Sequence, residues 1–70
     1  MTEQQLNEAR QKIAESIQAR RKELGITQDA LAVQTDMGIA TIKRFESGKS
    51  WLNMKQYVKL RSALEMPEIE

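Results

Sequence analysis

The sequence predicts an all-α fold, a compact domain of four helices, or five if the first is kinked. Apolar residues recur at intervals of three and four along most of the chain, and no segment alternates apolar and polar residues as a half-buried strand does. Cap-forming side chains (Thr2, Thr27, Asn53) and helix-stopping glycines (Gly25, Gly48) punctuate it at short intervals. Seventy residues make one domain, residues 1–70, and leave a thin stability margin, because so short a chain buries only about 60% of its unfolded surface.

The first helix is expected to start at Thr2, capped together with Gln5, and to stop at Gly25. Leu6, Ala9, Ile13, Ile17 and Leu24 share one stripe, which gives it a core face. Arg20 falls in that stripe, with its stem on the core edge and its guanidinium directed either to water or to a phosphate. Thr27 caps a short second helix, residues 28–35, with Ala30, Leu31 and Thr35 inward. Gly38 caps a third, residues 39–46, which ends at Ser47 and Gly48. Asn53 caps a last helix, residues 54 to about 64, with Met54, Tyr57, Val58, Leu60 and Leu64 as a broad apolar side and Pro67 blocking continuation. The two middle helices are too short to persist alone, so they must pack on the others.

Composition narrows the function. No cysteine or histidine is present, which removes disulfides, thiolate and imidazole metal sites and the commonest general base, so neither an enzyme nor a metal or cofactor protein is expected. No apolar run approaches a membrane span and the polar N-terminus is unlike a secretory signal, which reads as a cytoplasmic protein. The net charge of +1 conceals a pattern: all 11 Lys and Arg lie between Arg10 and Arg61, a window with only five acids, while Glu3, Glu8, Glu65, Glu68 and Glu70 occupy the ends. A basic middle of +6 fits a polyanionic partner.

Two short helices joined by about three residues form a helix-turn-helix, here about residues 28–46. With Ile42, Phe45 and Glu46 inward, Ala40, Lys43, Arg44 and Ser47 point out together, flanked by Thr41 and Ile39. A helix of this width fits the major groove of B-DNA. Arg44 has the forked donors that match guanine O6 and N7, Lys43 can serve the same acceptors or a phosphate, and Ile39 and Ala40 can pack on thymine methyls.

The stretches "RRKELGITQDALA" (20–32) and "ATIKRFESGK" (40–49) resemble the helix-turn-helix domain of lambda-repressor-like and Cro/C1-type regulators, the xenobiotic-response-element family. The resemblance spans residues 13–66, with residues 2–12 as an N-terminal extension of the first helix or a partner-docking segment. It implies base contacts from Ile39, Ala40, Lys43 and Arg44 and phosphate contacts from Thr27, Gln28, Thr41, Ser47, Lys49 and Ser50. It further implies an internal ion pair between Arg21 and Glu46. The chain departs from the family at Asp36, where glycine is usual; at Gly38, where a Ser or Thr cap is usual; and at Arg20 and Arg61, which replace core and small residues. Apolar Ile39 and Ala40, where the family often has polar side chains, leave most direct readout to Lys43 and Arg44.

The function these features predict is a sequence-specific transcriptional regulator, a repressor that binds a pseudo-palindromic operator in double-stranded DNA as a homodimer. Trp51 and Leu52, two large apolar residues in a loop, together with Arg61, are candidate dimer contacts; Trp51 and Leu52 serve equally as a local cap on the core. No small-molecule ligand is evident. No sensor domain follows Pro67, so control is expected from concentration, from a partner protein such as a toxin, or from a segment outside these residues. The alternative is a helical protein-interaction module, antitoxin-like, in which DNA binding is secondary or lost.

Overall fold

The computed structural model describes residues 1–66, and among them it is all-helical: α1 (Glu3–Glu23), α2 (Gln28–Thr35), α3 (Ile39–Glu46) and α4 (Met54–Ala63). Helix α1 runs as one element, so the count is four. Local chemistry sets most boundaries. Thr2 and Gln5 form a reciprocal capping box at α1, with Gln5 N donating to Thr2 Oγ1 at 3.2 Å and Thr2 N donating to Gln5 Oε1 at 2.8 Å. Asn53 and Gln56 repeat the device at α4, at 2.7 and 3.1 Å. Thr27 Oγ1 accepts from Ala30 N at 3.0 Å, whereas Gly38 gives α3 no side-chain cap.

Left-handed residues end the helices. Gly25 at φ +72 and Gly48 at φ +77 adopt a conformation that side chains disfavour. Asp36 closes α2 at φ 55, a left-handed conformation that aspartate tolerates better than most residues. Glu65, at φ 53, turns the chain after α4, and Met66 N donates back to Arg61 O at 3.1 Å. The stop is thus in place before Pro67, which lies outside the described residues.

The core is a cluster of Ile17, Leu31, Ala32, Ile42, Phe45, Leu60 and Leu64, to which every helix contributes. Helix α2 packs on α3 and α4, and α1 packs on α3. Phe45 and Tyr57 meet edge to face, ring centroids 6.3 Å apart. Truncating one of the large buried side chains costs about 2–5 kcal/mol, a large share of what a domain this size possesses.

Four expectations are corrected. Ala30 is exposed and Ala32 takes its place, because Leu31 and Thr35 fix the buried side of α2 and Ala30 lies around the helix from both. Leu6 is 44% exposed, since the first turns of α1 project beyond the packed body. Met54 and Val58 stay exposed on α4, whose core contacts come from Tyr57, Leu60 and Ala63, with Leu64 just past its end. Arg20 is not directed to water alone: its Nε donates to Leu64 O at 3.0 Å, its Nη2 reaches Glu65 O at 3.4 Å and its Nη1 meets Glu23, so it ties the end of α1 to the end of α4.

Candidate nucleic-acid interface

Helix α3 is held by its buried side. Ile42 and Phe45 are inserted in the core, and Glu46, the one acidic residue of the helix, is buried with them. Arg21 of α1 meets Glu46 in a forked pair, Nε to Oε2 at 2.8 Å and Nη2 to Oε1 at 3.0 Å, and its Nη1 donates to Ile26 O at 2.8 Å. The side chains of this pair are only 10% and 2% exposed. Gln28, the first residue of α2, donates from Nε2 to Glu46 Oε1 at 3.1 Å. One carboxylate therefore joins α1, the segment before α2, the start of α2 and the end of α3.

The neutralised Glu46 leaves the outer side of α3 with Ala40, Lys43 and Arg44, all exposed, and a charge of two positives with no exposed acid on the helix. Thr41 is half-buried at one edge, and Ile39 is half-buried at the other, packed in part on the core. Ser47 is exposed, its Oγ donating to Arg44 O at 2.9 Å. Beyond it Lys49 is exposed and Ser50 half-buried, in the loop that leads to α4. Thr27 and Gln28 open α2, Thr27 exposed and Gln28 half-buried. By contrast, the open cleft lined by Asp29, Asp36, Val33 and Met37 between α2 and α3 carries carboxylates and is unsuited to a phosphate chain.

A helix-turn-helix family model, HTH_3, of the Cro/C1 type, matches residues 17–70. The chain belongs to this family. No curated protein and no solved structure gives a significant match. An HTH_3 domain is a DNA-binding module of the regulator class, and the second and third of its helices here are α2 and α3. The part of α1 before Ile17 lies outside the matched HTH_3 segment. No helix among the described residues is long and apolar enough to cross a membrane, and no cluster among them has the composition of a metal site.

The remaining sequence candidates lie within the matched segment, after α2 and α3. Leu52 is half-buried against the core, and Arg61 sits over the Tyr57 ring at 5.6 Å with Nη1 donating to Tyr57 Oη at 3.1 Å. Trp51 is 49% exposed and, with Ile13, Phe45, Leu52, Met54 and Tyr57, lines an apolar groove of about 170 Å³. Two features were not legible in sequence: the Gln28 bond to Glu46, and Arg10 over the Trp51 ring at 5.9 Å. Both join residues far apart in the chain, and neither pair has a spacing signature.

Proposed function

We propose that this protein is a sequence-specific transcriptional regulator, acting as a repressor, that binds a pseudo-palindromic operator as a homodimer with α3 in the major groove. The observation that carries the reading is the division of α3: its only acid is buried and paired, so the exposed side presents Lys43 and Arg44 beside the small Ala40. Arg44 donates to guanine O6 and N7, Lys43 to a neighbouring base or phosphate, and Ala40 with the outer part of Ile39 packs on thymine methyls. Thr27 and Gln28 at the start of α2, Thr41 and Ser47 on α3, and Lys49 and Ser50 in the following loop hold the flanking phosphates.

The exposed Trp51, Met54 and Val58, next to the apolar groove, support pairing of two copies through the loop before α4 and the outer side of α4. Such pairing sets the two recognition helices about 34 Å apart, one turn of DNA.

Titration of Arg44→Ala tests the assignment. The variant loses about 1–3 kcal/mol on its selected duplex and relaxes preference at one base pair, with little change on a scrambled duplex. Equal losses on both duplexes would remove Arg44 from base readout.

A further inference from the structure

The loop that follows α3 is braced by α1 at two neighbouring points. Gly48 is buried against Gln11 so closely that a Cβ there would run into the Gln11 carboxamide. One residue earlier on α1, the Arg10 guanidinium lies over the Trp51 ring at 5.9 Å, and its Nη2 donates to Asn7 Oδ1 at 2.9 Å. Its Nε is buried and makes no hydrogen bond among the described residues, and Nη1 is not engaged by any either. A cation is therefore held over an aromatic ring, Trp51, that directly follows Lys49 and Ser50 in sequence. Among the described residues no carboxylate pairs with it. An arginine fixed in this way loses little side-chain freedom when it takes up an anion.

We propose that Arg10 is an additional contact to the DNA backbone, lying on the part of α1 outside the family match, with Trp51 as the platform that orients it. The proposal rests on the reading that the loop after α3 runs along the sugar-phosphate chain. The phosphate is one beyond those reached by Lys49 and Ser50, so the footprint extends past the helix-turn-helix itself. This also gives Trp51 a use that does not require its burial: a ring half in solvent keeps one face for the guanidinium and an edge for the groove below it. The contact is to phosphate and is indifferent to sequence.

The test measures the salt dependence of binding to mixed-sequence duplex DNA for the wild-type chain, Arg10→Gln, Arg10→Lys and Lys12→Gln. Lys12 is exposed, two residues away on the same helix and turned well away from Arg10, so its variant removes the same charge from the wrong position. Arg10→Gln lowers the magnitude of the slope of log K against log salt by about 0.9 and weakens a selected and a scrambled duplex by the same factor, while Arg10→Lys keeps the slope and Lys12→Gln leaves it unchanged. A purely structural brace would alter stability without moving the slope. A wild-type slope retained in full by Arg10→Gln, or lost equally in Lys12→Gln, overturns the proposal and leaves the regulator reading intact. Absence of salt-dependent binding by the wild-type chain overturns both.

Discussion

Replacing Glu46 by alanine removes the carboxylate on which α1, α2 and α3 converge. Three hydrogen bonds end on it, two from Arg21 and one from Gln28, and among the described residues the Arg21 guanidinium that stays behind keeps only Ile26 O. A charged group only 10% exposed cannot recover its lost partner from water. Breaking such a buried pair costs about 3–5 kcal/mol, against a total of roughly 3–10 kcal/mol for a domain of this length. A loss of 3 kcal/mol lowers the melting temperature by at least about 12 °C in so small a domain, and the upper figure leaves the chain largely unfolded. Urea denaturation followed by helical circular dichroism measures the loss. The double variant Arg21→Met, Glu46→Leu removes both charges and fills the space with apolar atoms, so it recovers most of the stability that Glu46→Ala loses. A loss below about 1 kcal/mol for Glu46→Ala, or a double variant no better than the single, would refute the view that an uncompensated buried charge sets the cost.

Other substitutions separate the remaining parts of the account. Lys49→Ala weakens selected and scrambled duplexes alike and reduces the salt slope by about 0.9, which a titration series in salt reads directly. Arg20→Ala releases the carbonyl of Leu64 and costs about 1 kcal/mol, seen as a fall of about 4–8 °C in melting temperature; no change would mean that α4 needs no tie to α1. Gly48→Ala costs about 1–2 kcal/mol for its left-handed backbone and displaces Gln11, whereas Gly25→Ala meets no neighbour and carries the backbone cost alone; denaturation of the two side by side should rank Gly48→Ala as the more damaging. Met54→Glu, at a residue 70% exposed, leaves stability within about 0.5 kcal/mol yet weakens binding to an inverted repeat more than to a single half-site if α4 joins two copies.

Features whose cause is local were the ones the sequence made readable. Thr2, Thr27 and Asn53 cap helices through contacts three residues away, and Gly25 and Gly48 stop them through their own backbone freedom, so each element's ends follow from short windows. The inward set of α3 was equally plain, because Ile42 and Phe45 are its strongest apolar pair. The tie from Arg20 to the end of α4 is not readable from sequence, because that partner is 44 residues away and offers backbone carbonyls, which have no residue signature. Ala30 and Ala32 are the same residue type, and only the neighbours that pack on α2 decide which of them is covered. Met54 and Val58 have the composition of a core face but lie where no other helix among the described residues covers them. Within the candidate interface, Lys43 and Arg44 could be placed from periodicity alone, whereas the link from Gln28 to Glu46 exists only once α2 and α3 have docked.

The central claim is that the exposed side of α3 reads a DNA sequence in the setting of a symmetric pair. Selection of bound duplexes from a randomised pool, followed by titration of the enriched sequence against a scrambled one at ~150 mM salt, tests it most directly. The account predicts an enriched inverted repeat with half-sites about one helical turn apart, bound at least about a thousandfold more tightly than the scramble. Failure to enrich any sequence, with equal binding to both duplexes in the non-specific range of about 10⁻⁴ to 10⁻⁶ M, would contradict it.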